Sequence, residues 1–354
     1  SQAGDADYEP AATVSETITV APAETGDLWQ ARTSGTTNDL EGVRFVGSTF
    51  LATGANLAIL SSAEAQSWSL RTSGGGTLRD VAYGGVPAVY LGIGQDGLPV
   101  SSSDGLNWNA LTESGLPALE GIIYGAGRFL AVGAGGAIRR SLNGDSWSTV
   151  ESGVTADLKD VAYSNGTFVA VGGNTILVSR NEGANWDIYT FAGDAISLNA
   201  VIGDGSGGFM VTGAGGQVLY SSDSGSSWGI RPGPTSTDLN AVAYGDDRYV
   251  VAGAGGVLFT SDDAGLTWKV RVSGTTQNLN DATYSQDIFV LVGDGGTILT
   301  SGLAGTKEAQ TIDFPALSAP SGSTVDLTAT ALAGGVPSNR AVEFSLIGGT
   351  GTLS

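Results

Sequence analysis

The chain has 354 residues and 41% hydrophobic content, enough to bury a sizeable core, and glycine is its outlier at 56 residues. It has no Cys and no His, which excludes disulfides, thiolate chemistry and His-based catalytic triads, and removes the usual transition-metal ligand. A formal net charge of −20 repels phosphate backbones and anionic lipid. Nucleic acid and direct membrane insertion are therefore not expected, nor is a cofactor or a bound metal.

In chain order, residues 1–22 stand outside any repeat. Ser1-Gln2-Ala3-Gly4-Asp5-Ala6-Asp7-Tyr8 and Thr17-Ile18-Thr19-Val20 resemble the closing strands of a bacterial immunoglobulin-like (Ig-like) domain. From Trp29 a period begins. Trp29, Trp68, Trp108, Trp147, Trp186, Trp228 and Trp268 are spaced by 39, 40, 39, 39, 42 and 40 residues. Each Trp opens a short strand and a polar, Gly-rich turn. A repeat Leu follows (Leu40, Leu78, Leu119, Leu158, Leu198, Leu239, Leu279), leading an apolar strand such as Val242-Ala243-Tyr244-Gly245. Next comes an aromatic-led strand ending in Gly, such as Phe129 to Gly133, and then a third strand such as Thr297 to Ser301.

Four short strands in about 40 residues, with Gly turns and no competing helical period, predict propeller blades. The fold class expected is all-β, a seven-bladed β-propeller over residues 27–303. The last repeat lacks its Trp strand after Ser301, and the missing piece sits upstream as Gly26-Asp27-Leu28-Trp29. The strand from Trp29 is expected to close the ring as a velcro strand in the last blade, leaving no open seam.

The turn before each Trp follows Ser-x-Asp-x-Gly-x-x-Trp. Ser221 to Trp228 and Ser261 to Trp268 fit fully, with Asp223 and Asp263 at the acidic position. Ser102 to Trp108 is one residue shorter around Asp104, Asn143 replaces Asp before Trp147, and Asn181 does so before Trp186. Residues 61–68 are degenerate, with Ala63 and Ala65. The pattern resembles the Asp-box (BNR) repeat. The expected role is a staple: the carboxylate or amide accepts turn N–H groups, Gly takes the left-handed backbone, and Trp clamps the turn.

Residues 309–354 resemble the opening of another Ig-like domain, through Gln310-Thr311-Ile312-Asp313-Phe314-Pro315 and Val325-Asp326-Leu327-Thr328-Ala329-Thr330. Both flanks read as incomplete Ig-like domains, so the propeller is expected to come from a larger modular, secreted or cell-surface bacterial protein. The two halves could also pair with each other.

Site candidates follow from the repeat. The residue after each repeat Leu varies in charge while its neighbours do not: Glu41, Arg79, Glu120, Lys159, Asn199, Asn240 and Asn280. These are expected at the channel mouth, either as a ligand-reading ring or as solvated strand starts joined by weak ion pairs. Arg32, Arg71, Arg231 and Arg271 form a Trp-x-x-Arg pattern, expected to lie along blade edges. Arg139-Arg140 is an isolated basic pair, expected to be ordinary surface; the acidic Gly-rich turns at Asp96 and Asp294 leave Ca²⁺ open as an alternative, although no Ca²⁺-ligand series is present.

Asp-box propellers include sialidases and xyloglucanases. The Phe-Arg-Ile-Pro-like motif of sialidases is missing here, seven blades replace their six, and xyloglucanases need two propellers. The single ring also resembles the photosystem II stability/assembly factor family, which binds a protein partner. The expectation is a non-catalytic binding, adhesion or spacer module contacting protein or glycan on a cell surface. A glycoside hydrolase-like enzyme and an assembly-factor-like protein binder are the alternatives.

Overall fold

The computed structural model describes residues 26–302 except 73, 98, 112–114 and 192–196, together with 332–333 and 336–337. Contacts divide the chain into two units, Glu24–Leu303 and a second made of Ser1–Ala23 with Ala304–Ser354. Of the second unit, only a short antiparallel pairing of Leu332–Ala333 with Val336–Pro337 is described. The segments with Ig-like resemblance lie outside the described residues.

The first unit is a seven-bladed β-propeller. Seven four-stranded antiparallel sheets follow one another, and the innermost strands touch in a closed cycle. Blade 1 has Leu40–Val46 innermost, then Thr49–Gly54, Ala58–Ser62 and Ser69–Thr72. Blades 2 to 6 repeat this, beginning at Leu78, Leu119, Asp160, Leu198 and Leu239. Blade 7 takes Leu279–Ser285, Ile288–Gly293 and Thr297–Ser301 from the end of the ring, and its outermost strand, Trp29–Arg32, from the beginning. Trp29 pairs with Ser301 and Arg32 with Ile298.

The core is a set of seven interfaces between adjacent blades. Val169, Val171, Ile176 and Val178 of blade 4 pack on Leu198, Val201, Phe209 and Val211 of blade 5. Ala52, Ala58 and Leu60 of blade 1 meet Val290, Val292 and Ile298 of blade 7 in the same way. The second strand of each blade is flanked on both faces, so its alternation disappears: all of Thr167–Gly172 and Arg248–Gly253 is buried. Aromatic pairs bind the first strand to the second. Tyr124 stands opposite Phe129, and Tyr284 opposite Phe289, with ring centroids 4.9 and 4.6 Å apart.

The glycine ending each second strand is needed for space. Gly133 has φ −179°, an extended value open to any residue. A Cβ there would stand 2.1 Å from the Ala118 carbonyl oxygen, and one at Gly253 would stand 1.9 Å from that of Asp238. The loop entering the blade thus presses on the end of the second strand. The adjacent N–H closes this contact: Ala134 donates to Ala118 O and Ala254 to Asp238 O.

Candidate functional site

The seven residues that follow the repeat Leu share one place. Glu41, Arg79, Glu120, Lys159, Asn199, Asn240 and Asn280 all line a single cavity of about 70 Å³ at the ring centre, with Arg44, Asp80, Asp160, Ala200 and Asp281. A β-bulge puts them there. The innermost strand slips register between Leu and the second residue after it, as at Leu40/Gly42, Leu78/Asp80 and Leu279/Asp281. The intervening residue is the extra one of the bulge, re-aimed from the blade to the mouth. Lys159 differs: its strand begins at Asp160, and its own N–H donates to Val171 O.

Six of the seven are bonded to their neighbours. Arg79 holds Glu41 at 2.6 Å and Glu120 at 3.2 Å, linking blades 1, 2 and 3. On the other side, each Asn amide donates to the repeat-Leu carbonyl of the following blade: Asn199 to Leu239, Asn240 to Leu279 and Asn280 to Leu40, at 3.1, 3.4 and 3.0 Å. Asn280 also donates to Asp294. Burial raises the Glu41 carboxyl above its ordinary range against the pull of Arg79. Lys159 is exposed, and its ammonium has no ion pair among the described residues. The mouth is thus a bonded belt with one uncommitted cation.

Beneath the belt lies a charge cluster that the sequence reading did not single out. Arg44 reaches from blade 1 to Asp80 of blade 2, with two contacts of 3.1 Å, and to Asp160 of blade 4 at 3.4 Å. Side-chain exposures are 14%, 5% and 16%. The aspartates follow the bulge residue in blades 2, 4 and 7, where the other blades carry Gly42, Gly121, Ala200 and Ala241. Each accepts the next N–H of its own strand and one from the following blade. Asp80 takes Val81 and Ile122, Asp160 takes Val161 and Val201, and Asp281 takes Ala282 and Val43. Every carboxylate oxygen therefore has a donor. Burial pushes Asp160 up to about 6, against the pull of Arg44, and raises Asp281 for the same reason. Burial works against the Arg44 charge, yet the three carboxylates hold its guanidinium well above the ordinary value. Asp at Leu+2 in only three blades was the available signal; the small residues elsewhere make the room that Arg44 and the carboxylates occupy.

The Ser-x-Asp/Asn turns lie at the other end of blades 2 to 6, between the third and fourth strands. The Asp104 carboxylate accepts the Leu106 and Asn107 N–H groups at 2.8 Å. Asn143 accepts Asp145 and Ser146, and Asn181 accepts Asn185. Asp223 and Asp263 accept the N–H and hydroxyl of Ser227 and Thr267. These bonds lower Asp223 and Asp263 to about 2 and hold Asp104 lower still. The leading Ser, which the sequence reading left without a role, is the centre of the turn. The buried Ser221 hydroxyl donates to Asp223 and accepts the Gly225 N–H, and Ser102 and Ser261 do the same.

The indoles are half-buried and not uniform. Trp108 and Trp147 donate to the turn carbonyls of Gly105 and Gly144, whereas Trp268 donates to Pro232 of the preceding blade. Among the described residues the buried Nε1 of Trp186 and of Trp228 has no hydrogen-bond partner, so these two hold their turns by packing. Three of the Trp-x-x-Arg side chains bond across to the third strand: Arg32 to Thr300, Arg71 to Ser61 and Arg271 to Thr260. Arg231 lies over the Tyr220 ring, 5.0 Å from its centroid. Among the described residues no group of three or more acidic side chains is arranged to hold a metal ion.

Fold and centre together define a β-propeller of seven blades with a bonded mouth and a charge-filled core channel. No family model matches the chain, and no curated protein matches it. Solved propellers do. YCF48 from Cyanidioschyzon merolae is 19% identical with a TM-score of 0.63, over 77% of this chain and 98% of its own. YCF48 bound to D1 peptide gives 19% and 0.65, over 83% and 98%. A catalytically inactive virginiamycin B lyase from Staphylococcus aureus, with quinupristin, gives 10% and 0.68, over 78% and 99%. At these identities the likeness is one of fold.

Proposed function

We propose that this chain is a non-catalytic, protein-binding propeller of the Asp-box kind, closed by its N-terminal strand and carried between Ig-like domains of a secreted or cell-surface bacterial protein. The carrying observation is the filled channel. About 70 Å³ is well short of the roughly 300–1,000 Å³ of a small-molecule site. Each oxygen of Asp80, Asp160 and Asp281 already accepts at least one N–H from the ring wall, so these carboxyls are engaged in holding adjacent blades together, which disfavours a glycosidase. What remains for recognition is the face of the disc, where Lys159 is the one belt residue with an uncommitted charge among the described residues. A fold neighbour that binds a peptide, YCF48 with D1, supports a protein partner.

The test is a peptide-display selection on the chain, with binders re-measured on Lys159→Glu. Binders that weaken by about tenfold or more on charge reversal support recognition at the mouth. Hydrolysis of any glycan by the wild type that disappears in Asp160→Asn would overturn the non-catalytic reading, and binders indifferent to Lys159 would move recognition off the mouth.

A further inference from the structure

On blade 3, at the end carrying the Ser-x-Asp turns, an open cavity of about 540 Å³ is lined by Arg128, Arg140, Leu142, Asn143, Ser146 and Trp147, among others. Arg128 opens the second strand of the blade and Arg140 lies near the end of the third. Arg128 pairs with Glu182 from the turn of blade 4. The Arg140 guanidinium has no hydrogen bond or ion pair among the described residues, and its Nε and that of Arg128 are both buried without an acceptor. Burial lowers Arg140 from its ordinary value and the like charge of Arg128 lowers it further, against the pull of the Glu182 carboxylate.

Blade 6 shows what this position takes when it is satisfied from within. Arg248 occupies the same register as Arg128, opposite Gly245 as Arg128 is opposite Gly125. Its Nε donates to Asp262, 2.6 Å away, the residue immediately after the turn-opening Ser261. In blade 3 the residue after Ser141 is Leu142, which is 65% exposed. At the register of Arg140, blades 1, 6 and 7 carry Ser61, Thr260 and Thr300. Blade 3 thus adds a second cation and lacks the carboxylate after the turn-opening Ser, leaving Glu182 of blade 4 as the one acidic side chain shared by the two guanidinium groups among the described residues.

We propose that this cavity binds a glycan through the carboxylate of a uronic acid, held between Arg128 and Arg140. Guanidinium and carboxylate match in plane and spacing. The half-buried Trp147 supplies an aromatic wall for the sugar ring, and the exposed Asn143, Ser146 and Ser148 supply a hydroxyl and amide rim. The net charge of −20 selects against polyanions but has little reach on a single carboxylate, since screening acts within about 8 Å at physiological salt. A short saccharide carrying one or two carboxylates therefore fits better than an acidic peptide stretch.

The experiment is calorimetric titration of the full chain with digalacturonate, its neutral counterpart galactobiose, and triglutamate. Digalacturonate is expected to bind saturably and galactobiose at least about tenfold more weakly. Arg140→Met keeps the packing stem and is expected to lose about tenfold or more. Leu142→Asp installs the carboxylate of blade 6 and is expected to block binding while leaving the melting temperature at or above wild type. Absence of saturable digalacturonate binding, equal binding by galactobiose or by triglutamate, or wild-type affinity in both variants would each overturn the proposal. None of these variants touches the channel mouth, so failure here leaves the protein-binding reading separately testable.

Discussion

Replacing Arg44 with Met should destabilise the ring strongly and in a pH-dependent way. The guanidinium is 14% exposed and is the cation facing Asp80, Asp160 and Asp281 across the channel. Met matches the stem but leaves three buried carboxylates without a counter-charge. Removing one partner of a buried pair costs about 3–5 kcal/mol, which for a domain of this size is about 5–9 °C in melting temperature. The sign with pH follows from Asp160, at about 6 in the folded chain against an ordinary value near 4, and from Asp281, raised likewise. The folded state binds more protons than the unfolded state between these values. The stabilisation from these groups is full below about pH 4 and is lost as pH rises through about 6. Without Arg44 both carboxyls titrate higher still, so the penalty should be largest at pH 8 and should shrink by pH 5. Circular-dichroism melts of both proteins at pH 5, 6.5 and 8 measure this. An equal loss at all three pH values, or a loss under about 2 °C at pH 8, refutes the reasoning.

Other expectations use the same melts. Gly133→Ala should cost at least about 3 kcal/mol because its Cβ meets a backbone oxygen, while Gly135→Ala, at φ +63° but with open space around it, should cost about 1 kcal/mol. Trp228→Ala should cost about 3 kcal/mol at most, since the indole is half-buried and its Nε1 makes no bond; a harmless substitution would remove the clamp role. Asn240→Ala should cost about 1 kcal/mol, because its amide bridges to Leu279 of the next blade. At the acid end, Asp223 and Asp263 have lowered carboxyls, so their stabilisation is present above about pH 4 and is lost as pH falls towards 2. Asp223→Ala together with Asp263→Ala should flatten the melting curve between pH 4 and pH 2.

The propeller was legible in the sequence because one large residue, Trp, marks every blade at nearly constant spacing and each blade buries the same apolar positions. Convergence of Glu41, Arg79, Glu120, Lys159, Asn199, Asn240 and Asn280 on one mouth followed from their shared position after the repeat Leu. Their bonding did not. Whether Asn240 meets solvent or the Leu279 carbonyl depends on the bulge that turns it and on the distance to the next blade, neither of which is written in a single repeat. A sequence reader would expect substitution at Asn240 to leave stability untouched, and the inter-blade bond changes that expectation. Arg44 was hidden for a related reason: its partners lie 36 and 116 residues away and are brought near only by closing the ring. The strand-ending glycines were visible as turn markers, but their cause, contact with the entering loop, needed the third dimension.

The pairing of Trp29–Arg32 with Thr297–Ser301 has a consequence for biosynthesis. The first strand of the ring emerges from the ribosome with no mate and waits until about 270 further residues have been made. Until then six sheets can stack, but the terminal sectors face water with their apolar sides, a state open to association through that uncovered surface. Once the ends meet, no sector can peel away without first undoing that late junction, so loss of structure should proceed in one step for the whole circle.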